Sequence, residues 1–303
     1  MPELPDLEIY REAIEARVLG RRLEAVRIVS PFLLRTVDPK PAEALGATLS
    51  STRRVGKRIV LVFDGGIRFV IHLMVAGRFR YEAKGAKIPG KLGLAAFDFE
   101  SGSLVLTEAS PKKRASLYVV RGDAAVDEHD PGGIEPLTCD LARFTAAMRR
   151  ENRTLKRALT DPTIVAGIGN SYSDEILHAA RLSPTPRTRT IDEATYARLF
   201  EAMRTTLTNA KESLRRQFDG RFPGPGEITA FRPEFAVHGR YGRACPVCGS
   251  EVQRIRFADN ESNYCPTCQT DGKLLADRSL SRLLGSDWPK TLDELEARRR
   301  GAH

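Results

Sequence analysis

No apolar run in this chain of 303 residues approaches the roughly 20 that cross a bilayer, which excludes an ordinary membrane-spanning helix. The opening residues lack a basic stretch followed by an apolar one. No secretory signal is therefore expected, and a cytoplasmic protein is. Cysteine is scarce. Five in a chain of this length do not make the disulfide framework of a small secreted domain. No segment repeats and no tract is of low complexity. Acidic residues fall short of basic ones, 39 against 48, giving a formal charge of +9 and a pI of about 9.5. Such an excess suits a polyanionic partner, whose counterions are released on binding, and equally a merely basic surface. What is present, 41% hydrophobic residues, is enough for real cores in more than one domain.

The order of patterns along the chain divides it. Residues 5–19 read as an amphipathic helix, with Leu7, Ile9, Ala13, Ile14 and Val18 near helical spacing and Gly20 as its stop. Strand-like runs follow at 24–29, 47–54, 58–63, 68–72, 92–99, 103–107 and 116–120, punctuated by Gly, Asp and Pro. The segment 129–133, His-Asp-Pro-Gly-Gly, reads as a hinge. Beyond it, helices are expected at 141–151, 155–159, 173–180 and within 191–218, before a Gly/Pro-rich loop at 220–226. The fold class is thus α+β and multidomain. A β-sandwich with a flanking helix is expected at 1–130, a helical domain at 135–225, a cysteine unit at 236–273 and an extension at 274–303.

Three motifs carry chemistry. The chain opens Met1-Pro2-Glu3-Leu4-Pro5-Asp6. With Met1 removed, Pro2 presents a secondary amine, nucleophilic near neutral pH because α-amino groups titrate near 8. Such an amine forms an iminium with a sugar aldehyde carbon. A proline here also suits a loose start or a helix entry. Cys245-x-x-Cys248 and Cys265-x-x-Cys268 lie 16 residues apart and can hold four thiolates on one tetrahedral Zn²⁺, a closed, structural arrangement. An iron–sulfur centre and disulfides are the alternatives. The intervening segments 251–257 and 263–264 look like a hairpin, flanked by Arg240, Arg243, Arg254 and Arg256 as phosphate partners. Cys139 stands apart as a small hydrophobe. Gly167-Ile168-Gly169-Asn170 permits a tight turn whose N–H groups and following helix can hold a phosphate, with Asn170 capping the helix or donating to that phosphate. A plain turn between helices is the other reading.

Taken together, these motifs resemble the formamidopyrimidine-DNA glycosylase and endonuclease VIII family. The opening pentapeptide, Gly56-Lys57-Arg58, the stretch 159–175 with Asp174-Glu175, and His238-Gly239-Arg240 before the cysteine pairs carry the resemblance, over residues 1 to 270. It implies a bifunctional DNA glycosylase and abasic-site lyase of base-excision repair, with Pro2, Glu3 and Lys57 as catalytic residues. Pro2 would attack the sugar, Glu3 would act as the acid that shuttles protons, and Lys57 would bind the phosphate beside the lesion and assist elimination. The base must leave the stack. DNA contacts are expected from Lys57, Val75, Arg78, Lys112, Lys113, Arg114, Gly167, Gly169, Asn170 and Arg243. The resemblance also implies one structural zinc on Cys245, Cys248, Cys265 and Cys268. The partner would be damaged double-stranded DNA, bound by a monomer at the nucleoid.

The chain departs from the family where the lesion is recognised. Val75 stands where a methionine is usual, with Met74 one position early. Lys112-Lys113-Arg114-Ala115 stands where Arg-Arg-Phe-Gly forms the wedge, so the aromatic has become cationic. Asp6 replaces a glutamate, and Asn260, between Asp259 and Glu261, replaces an arginine on the finger hairpin. The loop 220–236 does not match the cap over oxidised guanine. The extension beyond 277 carries Leu280, Leu283, Leu284, Trp288, Leu292 and Leu295, spaced to pack back as a helix. The expected substrate is accordingly a damaged base other than ordinary oxidised guanine. The alternatives are an abasic-site lyase with little base excision, and a non-catalytic damaged-DNA binding protein.

Overall fold

A computed structural model describes residues 1–257, 260–276, 283 and 285–301. They form two compact units, one of 1–132 and 208–230, the other of 133–207 and 231–303.

The first unit is a β-sandwich. Helix α1 (Leu4–Val18) precedes eight strands: β1 (Leu23–Ile28), β2 (Leu49–Val55), β3 (Arg58–Phe63), β4 (Ile67–His72), β5 (Gly77–Glu82), β6 (Gly93–Phe99), β7 (Gly102–Glu108) and β8 (Ser116–Arg121). One antiparallel sheet runs β1-β6-β7-β5 and the other β2-β3-β4-β8. Alternate residues of both sheets feed a single core. Ile59, Leu61 and Phe63 meet Phe69 and Ile71 on one side, and Phe97, Phe99, Leu104 and Leu106 on the other. Leu7, Tyr10, Ile14 and Val18 add the apolar face of α1 to that core. The second sheet is buried on its back as well. Val60, Val62 and Val70 pack there with Val126 of α2 (Gly122–Asp127). Burial on both faces is why β3 reads as an unbroken apolar run.

The second unit contains α3 (Leu141–Arg149), α4 (Leu155–Thr160), α5 (Asn170–Ala179) and the first half of α6 (Glu193–Phe218). It continues into the hairpin β9 (Gln253–Phe257) and β10 (Asn260–Tyr264), then α7 (Pro266–Thr270) and α8 (Leu292–Gly301). The extension is tied to the hairpin region by main-chain bonds, Leu274 N–H to the Lys290 carbonyl at 2.8 Å and Leu292 N–H to the Gly272 carbonyl at 3.0 Å. Of the leucines expected to pack back, Leu283 is exposed, and Leu292 and Leu295 are half-buried on α8. Leu280 and Leu284 lie outside the described residues.

Strand β5 and the short helices α2 and α7 went unread in the sequence. Strand β5 carries Arg78, Arg80 and Glu82 on one face, which masks the alternation of Phe79 and Tyr81. Helix α2 is only 6 residues long, too short to show a helical period.

Candidate active site and nucleic-acid interface

Pro2 and Glu3 are buried at the entrance to α1, with Glu3 only 2% exposed. The Glu3 N–H donates to Asp6 Oδ2 at 2.8 Å, which satisfies one of the helix's orphan donors and fixes the peptide after Pro2. Burial holds the amino terminus, here that of Met1, below the usual α-amino range. Glu3 and Asp6 oppose that shift, while Arg78 and Lys57 reinforce it. A terminal amine in this setting is less protonated at neutral pH and so more nucleophilic. The same interactions show that Glu3, Lys57 and Arg78, far apart in sequence, converge on the start of the chain.

Lys57 occupies a two-residue hairpin between β2 and β3, where Val55 pairs with Arg58. Gly56 makes that turn with φ of 56°. Opposite Arg58 on β4 is His72, whose Nδ1 accepts the Met74 N–H at 2.9 Å. Burial, with the charges of Arg58 and Lys57 nearby, pushes the His72 imidazole down to about 4. Its folded value lies below the unfolded one, so the unfolded chain binds the proton first on acidification. Stability linked to His72 is complete above about pH 6.5 and is lost as pH falls toward 4. Replacing His72 with glutamine, which can still accept from Met74, is expected to flatten the dependence of stability on pH across that window. Urea unfolding at several pH values tests this, and an unchanged slope contradicts it.

The loop from β4 to β5 carries Val75, 59% exposed, and ends at Gly77. A side chain at Gly77 would meet the Leu73 carbonyl oxygen at 2.2 Å, so only glycine closes this turn. Arg78 spends its guanidinium on its own scaffold. Nε donates to the Ile228 carbonyl at 2.7 Å, and Nη1 to those of Gly77 and Val75 at 2.7 and 3.1 Å. Beside this loop lies a cavity of about 290 Å³, lined by Val75, Arg78, Arg80, Leu92, Thr107 and Ile228 among others.

The loop from β7 to β8 divides its three cations. Lys112 and Arg114 are exposed. Lys113 turns inward, its Nζ donating to the carbonyls of Lys91 at 2.8 Å and Glu108 at 2.5 Å. Glu108, itself buried, accepts the N–H groups of Arg114 and Ala115, each at 3.0 Å, and so fixes the arginine's backbone.

In the second unit, Gly167 has φ of 78° and Gly169 is the N-cap of α5. Asn170 is thus the first helical residue rather than the cap. Its Nδ2 donates to the Glu261 carbonyl of β10 at 2.7 Å, and its own carbonyl accepts from Lys156 Nζ at 2.7 Å. Two α5 carboxylates organise what surrounds them. Asp174, fully buried, pairs with Lys156 at 2.5 Å and with His238 Nδ1 at 2.8 Å, and accepts from Ser262 and Asn263. Burial alone would raise this acid. Lys156 and the hydrogen-bonded His238 outweigh it and hold the carboxyl below its ordinary value. Glu175 accepts the main-chain N–H groups of Ala236, Val237 and His238 at 2.7, 3.0 and 2.8 Å. Neither role was legible, although an acidic pair beside Ile176 and Leu177 is a signal of buried polar work.

The sulfur atoms of Cys245, Cys248, Cys265 and Cys268 lie within 4.8 Å of one another. Four thiolates so close fit one tetrahedral zinc, with metal–sulfur bonds of about 2.3 Å. All four are free of disulfides. The His178 Nε2 of α5 lies 3.4 Å from the Cys245 sulfur, and the Cys265 N–H donates to Gln269 Oε1 at 2.8 Å. Arg243 is exposed beside the finger. Arg254 stacks its guanidinium over Tyr241 at 4.1 Å and, with Arg256, pairs with Glu261 at 3.3 and 3.4 Å. Asp259 and the Asn260 side chain lie outside the described residues. Cys139 is buried, as a small hydrophobe should be.

Comparison with known proteins gives this geometry a family. Residues 1–115 match the formamidopyrimidine-DNA glycosylase N-terminal domain. Residues 133–217 match the helix–two-turn–helix domain of the same enzymes, and 242–270 a zinc finger found in them and in isoleucyl-tRNA synthetases. The formamidopyrimidine-DNA glycosylase of Thermus thermophilus is 34% identical over 284 residues, covering 90% of this chain and all of the relative.

The chain belongs to the formamidopyrimidine-DNA glycosylase family.

The enzyme so named from Variovorax paradoxus is 32% identical over 277 residues, across 89% of this chain and all of the relative. Among solved structures, the Lactococcus lactis glycosylase with DNA containing N7-benzyl-Fapy-dG superposes with a TM-score of 0.78. It is 25% identical and covers 89% of this chain and all of that one. The same enzyme with DNA containing an oxidised pyrimidine gives 0.76, also at 25% identity. As a family member the protein is a DNA glycosylase of base-excision repair with abasic-site lyase activity, and its finger holds one structural zinc. Its partner is DNA. Among the described residues, no helix is long and apolar enough to cross a membrane.

Proposed function

We propose that Pro2, freed of Met1, is the nucleophile and that Glu3 and Lys57 serve it. The observation that carries this reading is the convergence of Glu3, Lys57 and Arg78 on a buried amino terminus. The Pro2 nitrogen bonds to C1′ of the damaged nucleotide as the bond from C1′ to the base breaks, and the base leaves with a proton. Glu3 protonates the ring oxygen, so the sugar opens to an iminium. Loss of the C2′ proton then expels the 3′ phosphate, and water releases the sugar from Pro2. Lys57 holds the phosphate beside the lesion. Gly167, Gly169 and the α5 N-terminus are assigned a flanking phosphate, and Arg114 and Val75 the space the base leaves. The protein acts as a monomer on duplex DNA, at the nucleoid.

The substrate we place first is a ring-opened purine, the base in the relatives' own name, rather than oxidised guanine. The everted base is assigned to the cavity beside Val75. Valine fills the vacated stack less than methionine does, and the rest of the wedge is cationic rather than aromatic. Oxidised guanine opposite cytosine is expected to be excised at least about 10-fold more slowly than a preformed abasic site is cut. Single-turnover kinetics at fixed salt test this, since product release then hides nothing. Equal rates would make the chain an ordinary oxidised-purine enzyme. Cleavage of abasic DNA alone, across a panel including ring-opened purine and oxidised pyrimidine, would leave a lyase.

A further inference from the structure

Arg54 is 8% exposed, and its guanidinium faces two ways. Nε donates to Glu8 Oε1 on α1 at 2.8 Å, and Nη1 donates to the Gly56 carbonyl at 2.8 Å. Glu8 is itself held, its other oxygen accepting from Arg11 Nε at 3.1 Å. Arg11 continues to Glu15, which also accepts from Thr52 of β2 at 2.6 Å. The Gly56 peptide leads directly into Lys57 at the tip of its hairpin, and α1 begins directly after Glu3. One buried side chain therefore joins the main chain beside the lysine to the helix that directly follows Pro2 and Glu3.

We propose that Arg54 is a positioning residue that sets Lys57 against Pro2 and Glu3. The inference rests on the reading of Lys57 given above. At the tip of a two-residue hairpin, Gly56 with its φ of 56° adds backbone freedom beside Lys57. A lysine stem adds more. A planar guanidinium bonded to both a carboxylate and a carbonyl removes that freedom in a way that one ammonium cannot. An ion pair that merely stabilised the fold would lower the melting temperature and leave each folded molecule as active as before.

The test uses full-length, zinc-loaded protein on DNA with a preformed abasic site. It reads single-turnover cleavage and DNA affinity over a range of salt. Lys57→Ala is expected to slow cleavage and to lower the salt slope by about one, the loss of one phosphate contact. Arg54→Met is expected to slow cleavage at least about 10-fold, as small misplacements do, and to lose the same slope. Glu8→Gln, which leaves the Gly56 bond, should fall between. The double variant Arg54→Met/Lys57→Ala should be no slower than Lys57→Ala alone. Multiplying effects in the double variant, or a full slope and rate in Arg54→Met, overturn the proposal while sparing the lysine. A normal rate and slope in Lys57→Ala overturn the lysine assignment and the proposal with it. If Arg54→Met fails to fold by circular dichroism, Arg54→Lys, which keeps the buried charge, is read against the same outcomes.

Discussion

Cys265→Ser is expected to lose the zinc and, with it, the order of the finger and most of the affinity for DNA. The apolar cluster of this region consists of Val237, Cys245, Val252 and Cys265, so half of it is metal ligand. Two valines contribute about 3–6 kcal/mol at most on burial, whereas structural zinc contributes roughly 10–16 kcal/mol in finger peptides. The metal therefore decides whether the finger folds. The damage should spread, because Asn170 and Asp174 bond to β10, and Cys245 lies against His178 of α5. Asp174 would lose Ser262 and Asn263 while remaining a buried carboxylate. Cys139→Ser should keep a full zinc content. Elemental analysis and binding at fixed salt give the result, and full zinc occupancy in Cys265→Ser contradicts it.

The second large effect concerns the amino terminus. A protein that retains Met1, or a tag ahead of Pro2, is expected to lose imine formation on abasic DNA by on the order of 10⁶-fold, the scale of removing the nucleophile from residues that act as a unit. The α-amine would be displaced by one residue, and Pro2 would become an amide nitrogen without a free electron pair. The buried surroundings of the terminus leave little room to compensate. Processed and tagged protein compared under single turnover check this, and equal rates would remove Pro2 from the mechanism.

How much of this was legible follows from distance along the chain. The metal site was legible because its ligands come as two local pairs. Strand β3 was legible because both of its faces are apolar. Helix α5 was expected from residue 173 and begins at Asn170, because the glycine turn ends sooner than its composition suggests. The network around Asp174 was hidden. Its partners Lys156, His238, Ser262 and Asn263 are scattered over more than a hundred residues, and no pairing rule links them. Arg54 was hidden for a different reason. On β2 it is one basic residue beside Arg53, and only the fold shows that one of the two is buried against Glu8 while the other pairs with Asp123 and Asp127 near the surface.

The proposed chemistry runs through the nitrogen of Pro2. Borohydride reduction on abasic DNA, followed by mass spectrometry of the crosslinked peptide, measures this directly. The expected adduct sits on a peptide that begins at Pro2. An adduct on Lys57 or any other lysine, with Pro2 unmodified, would contradict it.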